Sequence, residues 1–355
     1  MSMVYRKKLF KILLVAFLLS PTMMVQAGHD GSEEPFNPGT FILDHIGDAY
    51  EWHILTYHGH HVSLPLPVIV YSKQSGFHVF MSAKFHHGSH HGFSVAIDGP
   101  NKGKIVEQTV DGSLVRPALD LSITKNVLAL FVSMMIILWI FISVAKAYKC
   151  RENQAPKGLQ SWMEPLILFV RDDIARPAIG HKYQRYMPYL LTVFFFILVN
   201  NLMGLIPIIP FGSNVTGNIA VTLVLALFTF FITMISSTKT YWMHIFNTPG
   251  VPWWLKIPLP LMPFTELLGI FIKPFVLMVR LFANITAGHI IAIGFFSLIF
   301  IFGEMNPAMG FGASVVSVLF TVFMSLLELL VAFIQAYVFT LLSALYFGMA
   351  IEEHH

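Results

Sequence analysis

"KPFVLMVRLFANITAGHIIAIGFF", Lys273 to Phe296, decides which solvent this chain folds in. The stretch is apolar enough for a helix buried in lipid or in a bundle, yet it holds Arg280 near its middle, Asn284 one turn on and His289 further along. Arginine at the centre of a membrane helix costs at least ~2.5–3.5 kcal/mol on insertion scales. The charge therefore needs a partner, and no carboxylate lies within a turn of it on its own helix. At ~100° per residue, Arg280, Asn284, Ala287 and Gly288 share one face, while His289 points to the opposite side.

The surrounding apolar run is too long for a simple crossing. Phe264 to Phe302, 39 residues, would reach roughly 58 Å as one helix, about twice the hydrocarbon thickness. Ala308 to Ala350 is as long, and "GEMNP", Gly303 to Pro307, turns between them. Both helices are expected to tilt far beyond the usual ~20°, or to break, with Lys273-Pro274 the natural point in the first. On the second helix Glu328 and Gln335, seven residues apart, share a face, and Tyr346 falls in line with Glu328.

Composition agrees: 55% hydrophobic and 12% charged over 355 residues, against roughly 25% charged for soluble domains. One cysteine, Cys150, excludes an intrachain disulfide and a multi-cysteine metal cage. The net charge of +3 depends on Arg6, Lys7, Lys8 and Lys11, and loss of those four leaves −1. No nucleic-acid surface is expected. The four cations open residues 1–27, "MSMVYRKKLFKILLVAFLLSPTMMVQA", which has the basic start, short apolar run and small residues of a secretory signal.

Residues 28–119 lack long apolar runs and alternate in short stretches such as "FHVFMSAKF", with "DGPNKG" a hairpin turn. A small β-rich or partly disordered extracytoplasmic module is expected here. It holds His58, His60, His61, His86, His87, His90 and His91 in clusters that suit zinc or copper ligation, although their spacing matches no fixed ligand pattern. The alternative is a solvated loop of independent histidines. No other cofactor is expected.

Residues 120–355 form the membrane domain, with further spans at Leu121 to Tyr148, Tyr189 to Ile209 and Ile219 to Ile235. The first span ends in Lys146, Lys149 and Arg151, and Lys157, Arg171, Arg176, Lys182 and Arg185 follow in the connection after it, whereas "PIIPFGSNVTGN" has no cation. The positive-inside rule then puts the mature N-terminus outside and the C-terminus in the cytoplasm. "LQSWMEPLILFVRDDIARP" suits a helix on the cytoplasmic interface. The expected fold is an all-α polytopic membrane protein of about five membrane helices, the last two an over-long, strongly tilted hairpin, with the β-rich module in front.

"RLFANITAGH", together with "EPLILFVRDDIA", "MPYLLTVFFFILVNNLMGLIP" and "LLELLVAFIQAYVFTLLSALYFG", resembles the membrane stator subunit a of F-type ATP synthases. The resemblance covers Pro156 to Glu353. It implies a non-catalytic, ion-translocating subunit of the bacterial inner membrane, working against a rotor ring of c subunits and held by b-type peripheral stalk subunits within the remainder of the synthase. It gives Arg280 the role of the arginine that meets each ring carboxyl, with Asn284 and Gln335 as polar neighbours. The family's half-channel pair falls on His289 and Glu328, with acid and histidine exchanged relative to the commonest bacterial arrangement, and Glu266 and Lys273 match polar positions on the cytoplasmic side. An ion-coupled secondary transporter would also hold charge at the midplane, but repeated halves with paired broken helices are not evident. A metal exporter would account for the histidines, yet the spans before Phe264 carry almost no ligand-type residues.

Overall fold

The computed structural model describes residues 37–351 apart from 40–41, 43–46, 58–59, 98, 110–111, 151–153, 207–211 and 247–260. The signal-like segment 1–27 lies outside the described residues. The chain divides into two compact units: residues 1–132, 206–213 and 293–322 make the first, and 133–205, 214–292 and 323–355 the second.

The first unit contains the β-module. Strands β1 (Glu51–Tyr57) and β2 (His60–Pro65) pair antiparallel. Strand β3 (Pro67–Ser72) lies between β4 (Gly76–Met81) and the short β8 (Leu119–Asp120), and β6 (Ile105–Gln108) lies between β5 (Phe93–Val95) and β7 (Leu114–Val115). The hairpin expected at "DGPNKG" joins β5 to β6. Gly99 and Gly103 hold φ of 85° and 73° at its tip, values open to glycine at little cost. Tyr50, Val68, Val70, Phe80, Phe93 and Ile105 form the module's core.

The module is tied to the helix that follows it. Asp48 accepts hydrogen bonds from the Thr124 hydroxyl at 2.7 Å and the Asn126 amide at 3.1 Å, satisfying donors at the start of helix α1 (Lys125–Cys150). The Lys125 amide donates to the Ala49 carbonyl and the Ile123 amide to that of Pro67. The Tyr50 hydroxyl donates to Asp120 at 2.6 Å, and the Ile69 amide to Ser122 Oγ at 3.1 Å. Burial and the Asp120 carboxylate raise the Tyr50 phenol well above its ordinary range.

Among the described residues five helical stretches are long and apolar enough to cross a membrane. The first is α1. The second runs from Leu159 to Leu205 and comprises α2 (Leu159–Phe169), a π-helical turn at Val170–Ala175, α3 (Arg176–Ile179), a 3₁₀ turn at Gly180–Lys182 and α4 (Tyr183–Leu205). Next come α5 (Ile219–Ser236) and, after the short α6 (Lys239–Phe246), α7 (Leu261–Met305) and α8 (Pro307–Ile351). The segment expected to lie on the interface buries Met163, Val170, Ile174 and Ala175 in the core of the second unit. Its apolar stripe meets α4 and α8 through Phe169, whose ring neighbours Phe194, Phe333 and Tyr337.

Of the two alternatives for the long helices, the unbroken one holds. Helix α7 passes through Pro274 without interruption, and both α7 and α8 have 45 residues. Each is therefore ~67 Å long, so neither fits upright within a ~30 Å hydrocarbon layer. In the first unit they meet at their turn: a Cβ on Gly310 would lie 2.8 Å from Gly303 Cα, and Phe295 stacks on Phe320. In the second unit Leu277, Leu281, Ala336, Phe339 and Phe347 join the main core.

Candidate functional site

The polar groups on the long helices sort onto two surfaces within the second unit. One is outward. Arg280, Ala283, Asn284 and Ala287 are all exposed, at the three- and four-residue spacing that makes one helical stripe. Beside Arg280 the stripe is therefore built from small side chains, which admit the close approach of another helix. Among the described residues Arg280 forms no ion pair. Its charge acts on the phenol of Tyr346 on α8.

The other surface is inward, between α7 and α8. Gly288 is partly buried against Glu328: a Cβ there would fall 2.9 Å from Glu328 Oε1 and 3.2 Å from its Cγ. Only glycine leaves this carboxyl its place. Glu328 Oε1 is buried and has no hydrogen-bond partner among the described residues, the signature of a group that water or a proton must satisfy. One heptad on, Gln335 is 5% exposed. The face shared by Glu328 and Gln335 is thus the inward face of α8. His289 follows Gly288 and is half-buried.

A third group stands towards the start of α7. Lys273 Nζ lies 5.5 Å from the centre of the Tyr346 ring, and Glu266, one heptad earlier, interacts with Lys273. Glu266 also acts on Tyr241 of α6, whose phenol is raised first by burial and then by that carboxylate. A recess here is lined by Thr229, Thr233, Tyr241, Lys273, Leu277 and Tyr346. The structure thus brings Glu266, Lys273 and Tyr346 together, and Glu328 against the neighbour of His289.

Sequence reading missed a polar tie from α4. Asn201 is buried; its Nδ2 donates to the Ala332 carbonyl of α8 at 3.2 Å and its Oδ1 accepts from the Thr216 hydroxyl at 2.5 Å. Asn200 is buried beside it, with Oδ1 unsatisfied among the described residues. Two consecutive asparagines inside an apolar span were the available signal. Tyr189, Thr229 and Ser343 make a second such tie among α4, α5 and α8.

Of the histidines singled out, His58 and the side chains of His60, His61, His86 and His87 lie outside the described residues. The His90 and His91 rings are 4.2 Å apart, His78 is 5.2 Å from His91, and Lys84 Nζ lies 3.3 Å from His90 Nε2. Burial, then Lys84 and the neighbouring imidazoles, lower the His90 ring below its ordinary value. A cation already seated at that nitrogen opposes a metal ion there. Among the described residues no group of three or more His, Cys, Asp or Glu is arranged to hold a metal.

Comparison with known proteins divides the chain where α1 begins. A family model described as "ATP synthase A chain" matches residues 127–348, and one described as "Domain of unknown function (DUF8433)" matches residues 41–126. The chain is 46% identical over 244 residues to "ATP synthase subunit a" of Chloroherpeton thalassium, covering 66% of this chain and 69% of that one. It is 48% identical over 237 residues to "ATP synthase subunit a 2" of Chlorobaculum tepidum, covering 65% and 64%. Against "ATP synthase subunit a" of an Anaeromyxobacter species it is 34% identical over 341 residues, covering 93% and 73%. With five membrane-length helices and a family match over most of its length, the chain belongs to the ATP synthase A chain family, the subunit a of F-type ATP synthases.

Proposed function

We propose that the chain is the ion-translocating stator element of its synthase, with Arg280 meeting the carboxyl groups of a c-subunit rotor ring. The observation that carries this is the exposed stripe of α7: a membrane-helix arginine without an ion pair among the described residues, flanked by alanines and an asparagine that let another helix approach. A carboxyl group facing lipid is held protonated by desolvation, and beside a fixed guanidinium it favours the anion. Each ring carboxyl therefore releases its proton as it reaches Arg280. Guanidinium keeps its own proton, so the charge is permanent.

Two separate aqueous paths must lead to that point, or protons would cross without turning the ring. The inward group of His289, Glu328 and Gln335 supplies the path from outside, with Asn284 at its junction with the arginine. Glu266, Lys273 and Tyr346, with the recess beside them, supply the path to the cytoplasm. The cation of Arg280 between them opposes a direct leak. Each charge crossing yields ~2.3 kcal/mol per 100 mV, so several crossings accompany each ATP made elsewhere in the complex.

The cationic segment after α1 sets the orientation, with residues 28–119 outside, the C-terminus in the cytoplasm and the bacterial inner membrane between. The b-type peripheral stalk holds the chain against rotor torque. The test is Arg280→Ala and Arg280→Lys in the assembled complex in vesicles. ATP-driven proton pumping falls to background in both, with passive leak rising in Arg280→Ala. Full ATP synthesis by Arg280→Ala would falsify the assignment.

A further inference from the structure

The sheet β4–β3–β8 is apolar on both faces, and among the described residues only one is covered. Along β4 burial alternates: His78 and Phe80 point towards the module core, Phe77, Val79 and Met81 outward. The register aligns Tyr71 with Phe77, Ile69 with Val79, and Leu119 with Tyr71, so these share the outward side. Leu121 joins them, since its amide donates to the Ile69 carbonyl. Phe77, Val79, Leu119 and Leu121 are 64%, 59%, 54% and 62% exposed. An antiparallel sheet with one solvated face carries polar residues there, and a contiguous apolar patch on a soluble module marks a docking surface.

Three features indicate what covers it. The first is continuity with a surface that already meets lipid. Leu121 lies four residues ahead of Lys125, at most ~14 Å along the chain, and α1 continues with exposed Val127 and Phe131. The second is rigidity. The hydrogen bonds of Asp48, Ala49, Pro67 and Ile69 to residues 122–126 fix the sheet to the start of α1, so it cannot swing freely from the membrane boundary. The third is charge. The one acid in the three strands, Asp120, is bonded to Tyr50, whereas exposed Lys73, Lys84 and Arg116 flank the strand ends. Apolar centre and cationic rim match a phospholipid interface, in which acyl chains take the side chains and anionic headgroups the cations.

We infer that the outward face of β4–β3–β8 lies in the outer headgroup and acyl boundary of the bilayer, making the module a membrane-resting platform rather than a free domain. The test uses the assembled complex in vesicles of phosphatidylcholine with and without phosphatidylglycerol. In a Cys150→Ser background, single cysteines replace Val79, Leu119 or, as rim control, Lys73, and carry a nitroxide. Positions 79 and 119 should collide several-fold more with lipid-soluble oxygen than with a water-soluble nickel chelate, position 73 the reverse, and the contrast should grow with phosphatidylglycerol. Native chain adds a second reading: amides of Phe77 to Met81 should exchange more slowly in vesicles than in detergent. Free access of the nickel chelate to position 79 would overturn the inference. So would exclusion of both relaxers, since a protein surface and not lipid would then cover the sheet.

Discussion

Arg280 and Gly288 lie two turns apart on one helix and do opposite things. At Arg280 the chain presents a charge outward; at Gly288 it withdraws a side chain so that Glu328 can sit against the backbone. Gly288→Ala would bring a methyl to 2.9 Å from Glu328 Oε1. The clash is with the end of a flexible side chain, so assembly should survive while the carboxyl moves. Proton-driven ATP synthesis should fall about tenfold, less than the ~10²–10⁴-fold that a positioned proton-transfer group contributes, because the carboxyl is displaced and not removed. Adding Glu328→Asp, one methylene shorter, should recover part of the rate, and unchanged synthesis in Gly288→Ala would show that the carboxyl's position is immaterial. The sequence made both residues visible, but only as members of one helical face. It could not show that Gly288 faces Glu328, because the register between two helices depends on how their side chains interdigitate.

At the scale of the elements, close packing at Gly348 adds to the Thr238 amide, which donates to the Ala350 carbonyl at 3.0 Å, in fixing where α8 ends. A Cβ on Gly348 would stand 2.0 Å from the Ala178 carbonyl oxygen, which is backbone and cannot rotate away. Gly348→Ala should therefore cost about 1–3 kcal/mol by overpacking, seen as a lower unfolding midpoint in detergent. Gly269→Ala on α7 meets nothing within 4 Å. It should be neutral or gain up to ~1 kcal/mol from helix propensity. Asn201→Leu offers a contrasting case, since it leaves the Ala332 carbonyl and the Thr216 hydroxyl without their partner. A loss of about 1 kcal/mol is expected, and equal midpoints for Asn201→Leu and the parent would show that water replaces the amide. Of the two alternatives for α7, the break at Lys273-Pro274 is the one that does not occur. Lys273 over Tyr346 and buried Leu277 flank the proline in a helix that runs on through a residue that locally favours a break.

For the whole molecule, the free, exposed Cys150 at the end of α1 reports on topology. A membrane-impermeant maleimide should label it in inverted vesicles and leave it unmodified in right-side-out ones; the reverse pattern would invert the orientation given by the cationic segment. The module has its own pH dependence. His90 is held below its ordinary value by burial and by Lys84, His91 and His78. The folded module thus binds fewer protons there than the unfolded chain, and stability rises with pH. Its contribution is fully present above the unfolded value of ~6.5 and is lost as pH falls through the lower folded one. Amide exchange near Phe93 in the full chain should accelerate on acidification through that window, and His90→Gln should flatten the profile.

The sequence by itself determined the solvent, the number of membrane-length helices, the excessive length of the last two and the residues that carry charge into them. These follow from composition and period, which are local properties of a chain that must satisfy its backbone inside the bilayer. It also located the β5–β6 turn, because glycines at positive φ leave a readable mark. Tertiary structure alone decided that the 159–182 segment packs into the core, that Glu328 meets Gly288, that Asn201 ties α4 to α8 and to the loop before α5, and that one sheet face stays bare among the described residues. Each of these depends on which surface meets which across more than twelve residues of separation. Periodicity shows that a face is apolar; only packing shows what covers it.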